Sequence, residues 1–242
     1  DGSHTMRMEG DEAILRRLTD GTEWRVNTGG SSPAFSADNS RLLRLDSQDV
    51  PGANEPQLAI WTANADGSNP QQIASPESGY AVWLDAARAL VVSQEDQAST
   101  LSVYDSRDGS ALTLGTWERV RGLTVAPGGG RVMFYLSYYE DEAINGVYTL
   151  QTEAEAAPVK MPWFGAWRWR DANSVYYIPF DPSTNQQALA YYDILTGDNR
   201  VLTDPNTLPF TVANGDWRVS ADGRRIVYLN ATDLSSWIIE PI

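Results

Sequence analysis

Five times along the chain an apolar strand runs into a tight Asp/Gly/Asn turn and returns as a second, alternating strand. The stretches are SPAFSADNSRLLRLDS (32–47), YAVWLDAARALVVSQ (80–94), GLTVAPGGGRVMFYLSYY (122–139), AWRWRDANSVYYIPF (166–180) and DWRVSADGRRIVYLN (216–230). The large apolar residue ahead of each turn (Phe35, Trp83, Val125, Trp169, Val219) recurs every 42 to 50 residues. A third strand follows each pair, at 57–64, 100–106, 145–152, 188–195 and 235–241, rich in β-branched and aromatic residues. A fourth follows the first four units, at 71–75, 111–116, 157–161 and 200–204. The intervening turns ADGSN (65–69), RDGS (107–110) and LTGDN (195–199) have hairpin chemistry, where glycine takes positive φ at little cost.

Four-stranded units at a spacing of roughly 40 to 50 residues are the blades of β-propellers. The expected fold is therefore all-β: a five-bladed propeller with four antiparallel strands per blade. The fifth unit has no fourth strand, and RRLTD (16–20) near the start echoes RVLTD (200–204). That echo predicts closure of the ring by the N-terminal strand 13–19, with Ile14 to Thr19 as the outermost strand of the sheet containing 217–240. Closure removes an exposed sheet edge. DGSHTM (1–6) reads as a tag remnant, leaving 7–242 as a single propeller domain. Its blades span about 32–75, 80–117, 121–162, 166–204 and 211–242.

The stretch LAIWTANADGSNPQQIA (58–74), together with SPAFSADNSRLL, WRVSADGRRIVYL (217–229), RRLTD and RVLTD, resembles the TolB-like (WD-like) propeller repeats. In those repeats a strand ends in S-P-D-G, and a second strand is followed by D-A-D-G-S-N and a short strand ending in L-T. The resemblance covers essentially residues 12–242, clearest in the first and fifth units. It implies the propeller fold and an extracytoplasmic location, in the periplasm, at the cell surface or secreted. The matched residues are hairpin formers, so they transfer no site.

Charge and composition then exclude chemistries. With 32 acidic against 18 basic residues and a net charge of −14, most of the surface repels phosphate backbones, so nucleic acid is not an expected partner. No apolar run reaches the roughly 18 residues needed to cross a bilayer, and no direct membrane insertion is expected. Cysteine is absent and the only histidine, His4, lies in the presumed tag remnant. This removes Ser-His-Asp and Cys-His catalysis and His- or Cys-ligated metals.

No metal or cofactor is expected. NADGSN (64–69) and DSRDGS (105–110) lack the spaced ligands and final Glu of a calcium loop. Asp38, Asp85, Asp171 and Asp222 occupy equivalent turns, and among the inner strands only Asp216 is acidic. A glycosidase, which needs two converging carboxylates, is therefore poorly served.

Candidate binding residues remain. Arg168 and Arg218 hold the same position in their inner strands, where pairing with Asp171, Asp216 or Asp222 would leave them structural and a free guanidinium would serve an anion. Connections from outer to next inner strand, and from second to third strand, share one face of a propeller. There the reading places Trp24, Trp117, Trp163, Phe164 and Phe210, and Tyr138 and Tyr139 beside the acidic 140–142. TEAEAAP (152–158) reads as a solvated acidic loop. The expected function is a non-catalytic binding or scaffolding domain for a protein or peptide ligand, monomeric, within a larger bacterial envelope-associated or secreted protein. The alternatives are a carbohydrate-active propeller (glycoside hydrolase or lectin) and a sensory domain of a membrane-anchored protein.

Overall fold

The computed structural model describes residues 4–29, 31–48, 57–181, 183, 187–204 and 210–241. Alternating apolar residues between Asp/Gly/Asn turns produce strands throughout, and these form six antiparallel sheets among the described residues. The first sheet is β1 (His4–Glu9), β2 (Glu12–Arg17) and β3 (Glu23–Asn27). The second is β4 (Ala34–Phe35), β5 (Arg41–Gln48), β6 (Gln57–Asn64) and β7 (Gln71–Ala74). The third is β8 (Ser78–Trp83), β9 (Arg88–Glu95), β10 (Ala98–Asp105) and β11 (Ala111–Glu118).

The fourth sheet is β12 (Val120–Val125), β13 (Arg131–Leu136), β14 (Gly146–Gln151) and β15 (Val159–Lys160). The fifth is β16 (Gly165–Trp169), β17 (Ser174–Pro179), β18 (Ala190–Asp193) and β19 (Asn199–Val201). The last is β20 (Val212–Val219), β21 (Ile226–Asn230) and β22 (Ser236–Ile239). In every sheet the strands are hydrogen-bonded in sequence order, the antiparallel meander of a propeller blade.

The expected closure is not formed. β2 has β1 on one edge, with Leu15 opposite Met6, and β3 on the other, with Leu15 opposite Trp24. A strand has two edges, and both are taken. Residues 13–17 therefore complete an N-terminal sheet of their own and not the sheet of β20–β22. That last sheet remains three-stranded, and the five-unit count becomes six sheets. His4–Met6, read from sequence as tag remnant, are the first half of β1; residues 1–3 lie outside the described ones. What sequence reading missed was a partner strand at 23–27 with two outward charges, Glu23 and Arg25, and only Val26 fully buried.

Two compact units emerge, one of residues 1–120 and 151–156, the other of 121–150 and 157–242. In the first, Ala13, Leu15 and Val26 pack on Leu42, with Trp24 and Phe35 at the margin. Leu43 and Ile60 meet Ala89 and Val91 from the neighbouring sheet, and the Trp83 indole N–H donates to the Ala34 carbonyl at 2.9 Å. In the second unit, one cluster centres on Met133, Val147, Trp163, Trp167, Tyr177 and Tyr192. Another gathers Tyr176, Ile178, Phe210, Trp217, Ile226 and Tyr228.

The turn aspartates are engaged within their own turns. In NADGSN, Asp66 Oδ1 accepts both the Ser68 N–H (2.9 Å) and the Ser68 hydroxyl (2.6 Å), an Asx turn closed on itself. Among the described residues no three His, Cys, Asp or Glu gather in a metal-binding group, and no helix is long and apolar enough to cross a membrane.

In DSRDGS the Arg107 guanidinium grips Asp105 and holds its carboxyl at about 2. A depressed carboxyl stabilises the fold above its unfolded value near 4 and loses that contribution as pH falls through the folded one. Because Arg107 is largely exposed, solvent screening reduces the effect. Asp105→Asn is expected to cost about 1 kcal/mol at pH 7. Urea titrations should show the gap to wild type narrowing below pH 4.

Candidate functional site

The second unit places one of the expected residues, Arg168, on β16 and another, Phe164, immediately ahead of it. The strand's alternation sends Trp167 into the core and leaves Ala166 and Arg168 on the opposite face. Gly165 opens this strand because the chain must approach β17 closely: a Cβ there would lie 2.0 Å from the Ile178 carbonyl oxygen. Thr124 of β12 accepts the indole N–H of both Trp167 (2.9 Å) and Trp169 (3.0 Å), fixing β16 against it.

Arg168 reaches towards β20. Its Nε donates to the Trp217 carbonyl at 3.3 Å, its Nη1 to the Trp167 carbonyl at 2.8 Å, and its guanidinium lies 5.1 Å from the Trp217 ring centre. Arg218 Nη1 donates to the same Trp217 carbonyl at 2.9 Å. Burial pushes the Arg168 pKa down, and the Arg218 charge pushes it further the same way. The expected ion pairs with Asp171, Asp216 or Asp222 are not formed. Asp171 instead accepts from Asn173 N and Ser174 Oγ, and Asp222 from Ser220 Oγ and Arg224 N. Asp216 forms no ion pair among the described residues.

Beside Arg168 a cavity of about 250 Å³ is lined by Gly122, Leu123, Thr124, Tyr135, Ala166, Trp167 and Arg168. A second, of about 590 Å³, shares Tyr135 and Ala166 with the first and continues along Phe164, Phe180, Asp181, Gln187 and Val212. The two cavities adjoin at Tyr135 and Ala166 and are together called the trough. Tyr135 stands at the junction, its hydroxyl donating to the Gly165 carbonyl at 2.6 Å and its ring 4.5 Å from Trp167 and 5.6 Å from Phe164. Burial raises the Tyr135 pKa, so the hydroxyl stays protonated at neutral pH. Phe164 and Phe180 meet edge to face at 6.0 Å while remaining 46% and 65% exposed. The backbone bond from Phe180 N to Phe164 O, 2.8 Å, holds them in place.

The other expected residues fall elsewhere. Trp163 is only 8% exposed, stacked 4.2 Å from Tyr177 in the core, and Phe210 is fully buried. Tyr138, 68% exposed in the connection after β13, has φ 66° and carries the Arg121 guanidinium 4.5 Å above its ring. Tyr139 is half-buried, its backbone clasped by the Asn145 side chain. Neither lines the trough.

Trp24 and Trp117 belong to the first unit and lie within strands β3 and β11, not in connections. Trp24 is half-buried against Arg17, 5.3 Å away, and Trp117 folds over Gly115. Sequence reading missed Tyr135 and Phe180. Phe180 was within reach, since it follows a second strand as Tyr138 does.

Neither a protein-family model nor a curated protein sequence matches the chain. Solved structures do. An oligogalacturonate lyase in complex with manganese has a TM-score of 0.69 at 14% identity, covering 99% of this chain and 72% of that one. The β-propeller domain of the Trilobed protease from Pyrococcus furiosus, described as having an open velcro topology, gives 0.64 at 12%, covering 98% and 79%. TolB from Acinetobacter baumannii gives 0.50 at 16%, covering 98% and 68%. Identities this low establish the fold and transfer no activity. The chain thus has a TolB-like β-propeller fold.

Proposed function

We propose that the chain is a non-catalytic binding propeller that takes an extended peptide or protein loop in the trough of Tyr135, Phe164 and Phe180. The observation that carries this reading is the pair Phe164–Phe180, two large apolar rings in edge contact yet exposed over a cavity of about 590 Å³. Exposed aromatics beside a cavity supply desolvated anchors. The non-catalytic assignment is supported by the lining: among the described residues its one carboxylate is Asp181, with no second carboxylate to act in concert. Location outside the cytoplasm, as part of a larger envelope-associated or secreted protein, rests on the TolB-like resemblance.

The competing ligand is an acidic saccharide, favoured by the fold likeness to an oligogalacturonate lyase and by aromatic rings that would stack on sugar. Panning a displayed peptide library on the protein separates the two. Selected peptides should lose roughly thirtyfold in affinity against Phe180→Ala or Phe164→Ala, about 2 kcal/mol, with melting temperatures near wild type. Peptides indifferent to both substitutions, or binding only of oligogalacturonides, would overturn the proposal.

A further inference from the structure

Arg168, which lines the smaller cavity, and Arg218, which lines neither cavity but shares the Trp217 carbonyl with it, form a second, chemically distinct group beside the same trough. Two guanidinium groups share one carbonyl acceptor, at 3.3 and 2.9 Å, and among the described residues neither has an acidic partner. This arrangement is costly for Arg168, which is half-buried with the like charge of the exposed Arg218 beside it. In a chain of net charge −14, acids to neutralise the pair are plentiful, yet Asp171 and Asp222 are engaged with their own turns.

The bonds that are made orient the pair without satisfying it. Arg168 uses Nε and Nη1, and Arg218 uses Nη1, on backbone carbonyls. Nη2 of Arg168 and both Nε and Nη2 of Arg218 have no protein acceptor among the described residues. The Trp217 ring lies 5.1 Å from the Arg168 guanidinium, and Nη2 of Arg168 with Nε and Nη2 of Arg218 are the donors left for an oxyanion. Arg168 also lines the cavity of about 250 Å³ that joins the aromatic part of the trough at Tyr135 and Ala166.

We infer that Arg168 and Arg218 form a carboxylate-binding site at one end of the trough, occupied by a carboxylate of the bound peptide, either its C-terminus or an Asp or Glu side chain. This inference rests on the peptide reading above, and it has a readout of its own. The first arm uses acetate as the probe, at constant ionic strength, following arginine Nε–Hε resonances by ¹⁵N NMR. The Arg168 resonance should shift saturably, and the shift should vanish in Arg218→Gln, whose substituted side chain is exposed. The exposed Arg224 should show only the linear drift of a surface cation. An Arg168 response no larger than that of Arg224, or one unaffected by Arg218→Gln, would overturn the site.

The second arm compares a selected peptide as free acid, as C-terminal amide, and with each Asp or Glu changed to its amide. One of these removals should weaken wild-type binding roughly ten- to a hundredfold and so identify the source of the carboxylate. Arg168→Gln and Arg218→Gln should bind all forms alike. Binding that survives loss of every carboxylate, while still depending on Phe180, would sink the carboxylate site and leave the peptide reading standing.

Discussion

Deletion of residues 1–20 is expected to lower the melting temperature by about 10 °C or more and to promote aggregation. The deletion removes β1 and β2 whole, and with them Ala13 and Leu15, both 0% exposed, and Ile14 at 2%. Burial of these side chains is worth about 5 kcal/mol. β3 would lose its only pairing partner among the described strands, and Val26 and Leu42 would lose the side chains that cover them. Location of the damage separates the observed pairing from the closure expected on sequence. Hydrogen exchange should show lost protection in 23–27, with 226–239 little changed, because β2 pairs with β1 and β3. An unchanged melting temperature, or deprotection concentrated in 226–239, would contradict the pairing.

Two adjacent residues should behave in opposite ways. Trp163→Ala is expected to cost about 4 kcal/mol, since the ring stacks on Tyr177, meets Tyr192 edge to face and packs into the cluster around Met133 and Val147. Phe164→Ala should cost about 1 kcal/mol or less, because nearly half of that side chain already faces water and its contacts are the edges of Tyr135 and Phe180. Denaturant titrations of the two variants measure this directly. Loss of ligand binding in Trp163→Ala would report unfolding, whereas loss in Phe164→Ala at unchanged stability reports recognition. Equal destabilisation by both would place Phe164 in the core and remove the trough's main anchor.

Much of the fold was legible because hairpin chemistry is local. ADGSN, RDGS and SADG close turns with their own side chains, as Asp66 does with Ser68 and Asp222 with Ser220, and the alternating strands between them need only a near neighbour. β6 falls where the sequence places it, at 57–64, and the inner strand of each unit stands ahead of its turn. The site was legible only in part. Of the residues of the proposed trough, the sequence named Phe164 and Arg168 as candidates and passed over Tyr135 and Phe180. Trp163 looks on sequence like its neighbour Phe164, yet one step along an extended chain turns a side chain to the other face.

The sequence by itself determined the strands of the five repeated units, their antiparallel meanders and the lack of cysteine, since each follows from residue type or from contacts a few positions apart. Only the tertiary structure decided which strand β2 pairs with, because edge hydrogen bonds are made by backbone and carry no residue-specific signal: RRLTD matches RVLTD in letters, but β1 and β3 lie closer along the chain and occupy both its edges. It also decided the state of Arg168 and Arg218. Acids close in sequence were available to both, but a side chain reaches in three dimensions. The carbonyl of Trp217 lay within reach of both guanidinium groups, while Asp171 and Asp222 were already committed to their turns.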